Sequence, residues 1–215
     1  MSDSALKQDI LDELEFEPRV DASKIGVSVQ DGIVTLSGHV GSYSEKRAAE
    51  TAVLRIKGVR GIAEDIEVRP GAGVGVHDDE IARRVSDTLR WSTLVPDGQI
   101  VVEVEHGRVT LTGKLDWAYQ KRGALDVVDG IRGVTGVIDQ IELSERVAPK
   151  DVKGAIEGAL RRNAELEGHA VDVDVKGNRV TLAGRVRTWR DRHVAEEAAW
   201  SVAGVNEVKN RLVVG

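Results

Sequence analysis

The sequence predicts an α+β protein of three tandem two-layer α-β-β-α-β domains, each a three-stranded mixed sheet with two helices on one face. Three observations predict it. Val34-Thr35-Leu36 returns as Val109-Thr110-Leu111 and again as Val180-Thr181-Leu182. At the same spacing from each copy stand a glycine (Gly38, Gly113, Gly184) and a Gly-Val pair (Gly58-Val59, Gly133-Val134, Gly204-Val205). Within each copy the apolar period runs helical, then alternating, then helical, then alternating. Self-similarity at a fixed period marks repeated structural units. The expected domains are 1–69, 77–144 and 148–215, with connections near 69–77 and 144–150.

Each unit opens with a helix. Leu6, Ile10 and Leu14 fall on one stripe, as do Ile81, Val85 and Leu89, and Val152, Ile156 and Leu160. Such a stripe faces a core, and the charges between its members face water. Strict alternation follows in Ile25, Val27 and Val29, in Ile100, Val102 and Val104, and in Val171, Val173 and Val175. That period marks a half-buried strand. Asp31-Gly32, His106-Gly107 and Gly177-Asn178 then connect to a second strand. A two-residue hairpin of the primed type needs positive φ, so Asn178 is expected to take the conformation of Gly32 and Gly107. Gly38, Gly113 and Gly184 are expected on the buried face of that strand, where a missing side chain admits a helix. A second helix is expected over 42–57, 117–132 and 188–203, with Gly58, Gly133 and Gly204 as its C-caps. The last strand carries Ile62, Ile66 and Val68, then Val137, Ile141 and Leu143, then Val208, Leu212 and Val214. The outer sheet face carries Thr35, Ser37, Glu103, Arg108, Thr110, Arg179 and Thr181; its polarity favours solvent over a neighbouring domain.

Composition narrows the function. The chain has 215 residues, 3% of them aromatic, so its cores are aliphatic. It has no cysteine, which excludes disulfides and thiolate chemistry. The net charge of −6 argues against a nucleic-acid partner. Its beginning has neither a basic region nor an apolar one of the secretory kind, so a cytoplasmic location is expected. His39, His77, His106, His169 and His193 occupy non-equivalent repeat positions without ligand spacing, and no metal or cofactor is expected. No carboxylate pair, nucleophile elbow or phosphate loop stands out, and no enzyme activity is expected. Gly71 to Val76 mimics a dinucleotide loop, but it lacks the third glycine and a parallel α/β surround, and reads as a flexible connection.

The Gly-x-Val-Thr-Leu-x-Gly core, Gly32 to Gly38 and Gly107 to Gly113 with its Asn178 to Gly184 variant, resembles the BON domain, a bacterial module of osmotically inducible and nodulation proteins. The Gly-Val pair and the closing strand Val208 to Val214 strengthen the resemblance. Copies one and two depart from it with Glu64 and Asp139 in place of Asn210. The resemblance implies the bacterial envelope, osmotic stress and phospholipid binding, and for some relatives potassium binding. These motifs are structural and contain no catalytic residue.

Charge by repeat gives the membrane reading a place. Residues 1–70 and 71–147 each carry net −4, and residues 148–215 carry +2. Arg185, Arg187, Trp189, Arg190 and Arg192 cluster at the start of the third unit's second helix. The second unit has Lys114, Trp117, Tyr119, Lys121 and Arg122 there, and the first has His39, Tyr43, Lys46 and Arg47. An amphipathic aromatic among cations suits an anionic headgroup layer. The lipid-binding candidates are therefore Trp189, Arg185, Arg187, Arg190, Arg192, Trp117, Lys121 and Tyr43. The competing reading has the aromatics closing cores and the cations solvated. Trp91 and Trp200 are expected at a core edge or between domains. The expected function is peripheral binding to anionic phospholipid, led by the third unit. The alternative is a cytosolic module responsive to potassium or another monovalent cation.

Overall fold

The computed structural model describes residues 2–71, 77–144, 151–162 and 171–215. The Gly-rich stretch 72–76, the second connection with Pro149, and His169 lie outside the described residues. The chain forms two compact units, Met1–Leu115 with Gln120–Glu142, and Asp116–Tyr119 with Leu143–Gly215.

The first repeat runs α1 (Asp3–Phe16), β1 (Ile25–Gln30), β2 (Ile33–Val40), α2 (Tyr43–Leu54) and β3 (Gly61–Val68). The second runs α3 (Asp78–Trp91), β4 (Ile100–Glu105), β5 (Arg108–Leu115), α4 (Ala118–Asp129) and β6 (Gly136–Leu143). The third runs α5 (Val152–Arg162), β7 (Val171–Lys176), β8 (Arg179–Val186), α6 (Trp189–Trp200) and β9 (Glu207–Val214). Each repeat makes one three-stranded sheet with its second strand in the centre. β1 pairs antiparallel with β2, which pairs parallel with β3, and β7, β8 and β9 repeat the arrangement. The expected α+β architecture is present in all three repeats.

The helical stripes are the core. Leu6, Ile10 and Leu14 are buried in α1, as are Ile81, Val85 and Leu89 in α3, and Val152, Ile156 and Leu160 in α5. They meet the inward residues of the central strands, among them Val34 and Leu36, Val109 and Leu111, and Val180 and Leu182. Each such aliphatic side chain contributes about 1.5–3 kcal/mol when removed from water. The valine of each Gly-Val pair is also buried.

Three local expectations need correction. The second helices end at Leu54, Asp129 and Trp200, and Gly58, Gly133 and Gly204 follow in a separate turn with φ of 96°, 97° and 86°. They are therefore not the helix C-caps. That turn docks on the hairpin: Arg60 N donates to Gly32 O at 2.8 Å, Thr135 N to Gly107 O at 2.9 Å, and Asn206 N to Asn178 O at 3.0 Å. In the first two hairpins both turn residues have positive φ, Asp31 and Gly32, then His106 and Gly107. A Cβ on Gly107 would lie 2.7 Å from Gly133 O, so a side chain is excluded there. In the third hairpin positive φ falls on Gly177, at 62°, and not on Asn178. Keeping that conformation only at the first turn position, as in turns that take glycine first, leaves position 178 in ordinary backbone that can carry a side chain.

The close approach at the second-strand glycine also differs from the expectation. A Cβ on Gly38 would lie 2.1 Å from Lys24 O, and one on Gly113 2.1 Å from Gln99 O. The intruder is the backbone leading into the neighbouring strand, not a helix, and Gly38 itself is exposed. The outer-face residues Thr35, Ser37, Thr110 and Thr181 are half-buried, while Glu103, Arg108 and Arg179 are exposed.

Candidate functional site

The starts of α2 and α6 are built by capping. Ser42 accepts from Glu45 N at 3.2 Å, and Glu45 reaches back to accept from Gly41 N at 2.9 Å. Thr188 accepts from Asp191 N at 3.0 Å, and Asp191 accepts from Thr188 N at 3.2 Å, which makes a reciprocal capping box. Asp191 is 7% exposed, so this carboxylate belongs to the fold. Its charge also offsets the cations that surround a helix N-terminus. The spacing Ser/Thr-x-x-Glu/Asp in Ser42 to Glu45 and Thr188 to Asp191 was the sequence signal for it. In the second repeat Trp117 occupies the sequence position of those caps, and α4 begins one residue later, at Ala118.

The fourth residue of each of these helices is basic, and its role is structural. Lys46 Nζ donates to Ile66 O at 2.9 Å and pairs with Glu64 at 3.7 Å. Lys121 Nζ donates to Ile141 O at 2.6 Å and pairs with Asp139 at 2.8 Å. Arg192 donates to Leu212 O at 3.3 Å and to Asn210 O at 2.9 Å. All three staple the second helix to the last strand. The strand residue changes with the helix residue: an acid meets each lysine, and an amide meets the arginine. Asn210 Nδ2 donates to Arg192 O at 3.2 Å and to Glu196 at 2.9 Å. Glu64 and Asp139, odd in the sequence pattern, are thus the lysine form of the same staple. Lys121 and Arg192 must therefore be withdrawn as headgroup ligands: their donors are spent on strand carbonyls, and charged hydrogen bonds of this kind are the strong ones.

The aromatics are partly withdrawn as well. Trp189 is half-buried, Arg192 lies 4.9 Å over its ring, and its Nε1 is enclosed without a hydrogen-bond partner. Tyr43 is half-buried, and burial pushes its hydroxyl pKa up. Near it Arg47 of the first repeat pairs with Asp129 of the second at 3.6 Å. Trp117 is half-buried and stacks on Tyr119, with centroids 6.3 Å apart and planes at 28°.

Three cations of the cluster keep their exposure. Arg185 and Arg190 are exposed, and Arg187 is 65% exposed, with Nε 3.9 Å from Asp191. The remaining candidate site is thus a set of guanidinium groups around the end of β8 and the start of α6.

The two tryptophans without counterparts part company. Trp200 packs against the third repeat's core, as expected. Trp91 does not close a core edge: it is 83% exposed at the end of α3, and Phe16, at the equivalent end of α1, is 83% exposed too. Among the described residues no group of three or more His, Asp or Glu side chains could hold a metal ion. Among them, also, no helix is long and apolar enough to cross a membrane.

The sequence pattern of the BON domain matches residues 2–70, 77–145 and 150–215. Osmotically-inducible protein Y of Escherichia coli (strain K12) is 25% identical over 146 residues, covering 66% of this chain and 73% of that protein. Among solved structures, the C-terminal domain of CdsD, a structural protein of the type III secretion system of Chlamydia trachomatis, is 18% identical with a TM-score of 0.28. That match covers 100% of both chains. A second CdsD structure is 18% identical with a TM-score of 0.27, covering 98% of this chain and 92% of that one.

Proposed function

The chain belongs to the BON domain family, and from that premise we propose that it binds anionic phospholipid peripherally, without catalysis, through its third repeat. The observation that carries the reading is the exposed trio Arg185, Arg187 and Arg190 on the one repeat with net positive charge. Cations beside an anionic headgroup layer contribute about 1 kcal/mol each. Three of them suffice for weak, reversible and salt-sensitive attachment. The likeness to an osmotically inducible protein supports a role in the response to osmotic stress.

Vesicle flotation tests it. The wild-type chain floats with phosphatidylglycerol-containing vesicles at low salt, floats less at moderate salt, and ignores phosphatidylcholine. Replacing Arg185, Arg187 and Arg190 by alanine weakens binding by about 150-fold, three cations at about 1 kcal/mol each. Absence of binding at low salt overturns the reading, as does binding indifferent to salt or to the triple variant. A melting temperature raised by potassium but not sodium, with no flotation, would put a cation-responsive module in its place.

A further inference from the structure

We infer that the outer face of the third sheet is the plane that meets the anionic bilayer, with the start of α6 at its margin; this rests on the lipid-binding reading above. Strand register assembles the face from three segments. Across it run Lys176, Arg179 and Glu207, then Asp174, Thr181 and Lys209, then Asp172, Ala183 and Arg211. Arg185 follows, beside Val213. The acids Asp172 and Asp174 lie on the β7 side. The β8–β9 side holds Arg179, Arg185, Lys209 and Arg211 against Glu207 alone.

These groups face water. Arg179 is 54% exposed, Lys209 47% and Val213 58%, and Arg185 and Arg211 are exposed. Glu207 takes Arg179 at 2.5 Å and Lys209 at 3.7 Å. Among the described residues, the guanidinium groups of Arg185 and Arg211 have no hydrogen-bond or ion-pair partner, although their backbones pair in the sheet. The matching faces of the other repeats differ. The first has Asp65 and Glu67 and no Lys or Arg at its outward strand positions. The second sets Glu103, Glu105 and Glu142 against Arg108 and Lys114.

The geometry favours a surface over a small ligand. Neighbouring strands lie about 4.8 Å apart, and same-face residues recur about every 6.6 Å along a strand. The cations are thus spread over a broad face and converge on no single point. They complement a sheet of headgroups, and the exposed Val213 can meet its apolar margin. The outward strand positions of this face carry no aromatic side chain, so the stacking platform of a single-stranded nucleic-acid binder is missing.

The test is flotation with phosphatidylglycerol-containing vesicles at low salt, using the full chain with Lys209→Gln and Arg211→Gln together. Neither residue belongs to the α6 start, and both lie exposed on a strand at the sheet edge. Binding should weaken by about 30-fold, two cations at about 1 kcal/mol each. Asp172→Asn with Asp174→Asn, which adds positive charge to the same face, should tighten it. Unchanged melting by circular dichroism certifies both variants. If the wild type floats and both pairs leave binding unchanged, the sheet-face inference falls while lipid binding stands. If the wild type does not float, both fall. Tighter salt-sensitive binding to a single-stranded oligonucleotide than to vesicles would overturn the choice of partner.

Discussion

The first two repeats and the third hold the same fold with different charge. In the first two, a lysine and an acid staple the second helix to the last strand, Lys46 with Glu64 and Lys121 with Asp139. In the third, Arg192 and the amide Asn210 do so. The hairpins differ in the same sense. Asp3 accepts from Asp31 N at 2.8 Å and Gly32 N at 3.1 Å, and Asp78 accepts from His106 N at 2.8 Å and Gly107 N at 2.9 Å. At the matching sequence position the third repeat has Pro149. Two carboxylates are thereby missing from the third repeat for structural reasons. Part of its charge contrast is a by-product of how it is held together. Net charge by itself is weak evidence for a binding role, and only outward, unspent cations such as Arg185 and Arg211 carry it.

The largest effect should come from what the repeats share. Gly113→Ala places a Cβ 2.1 Å from Gln99 O, against backbone that cannot swing away. A loss of about 3 kcal/mol in urea unfolding is expected, the upper end for overpacking. A variant as stable as the parent would mean that the two strands are not this close.

The staple comes next and bears directly on the contrast. Arg192→Met removes the donors to Leu212 O and Asn210 O and should cost about 2 kcal/mol, in line with hydrogen bonds from charged groups. Lys121→Met should cost somewhat less, because it loses one carbonyl bond and a half-exposed ion pair. If both losses stay within about 0.5 kcal/mol, typical of ordinary surface positions, these cations are solvated after all. They would then return to the list of headgroup contacts.

Acid should separate the hairpins. Backbone N–H groups of Gly107 and His106 hold the Asp78 carboxyl below the usual aspartate pKa. A depressed folded pKa means that the support is complete at neutral pH and is withdrawn as pH falls through the folded value. The protection of the His106 and Gly107 amides from exchange, relative to their intrinsic rates and followed by NMR, should therefore fall below about pH 4, the ordinary aspartate range. The amides of Gly177 and Asn178 should show no matching step. In the first repeat Arg19 holds Glu17 down to about 2, so that contact should persist below the pH at which an ordinary glutamate is protonated. An identical acid response in all three hairpins would erase the distinction.

The smallest effect is expected at Phe16 and Trp91. Both are 83% exposed, so Phe16→Ser and Trp91→Ser should shift stability by no more than about 0.5 kcal/mol in thermal melts. A larger loss would mean that these rings are covered in solution.

Much of this protein was legible without coordinates. The three-fold repeat, the order of elements and the inward face of every strand follow from periodicity, because a helix buries every third or fourth residue and a strand every second. Short-range polar chemistry was legible in principle too, since Thr188-x-x-Asp191 is a capping box within one turn. The roles of the basic residues were not. Lys121 and Arg190 look alike in sequence, yet one is bonded to a carbonyl 20 residues away and the other is exposed. The parallel crossover brings β6 and β9 back beside the second helices, and that return decides which cations are consumed. The cationic face of the third sheet has the same origin. Lys209 and Arg211 join Arg185 because β9 pairs with β8 in one register, and register belongs to the folded sheet.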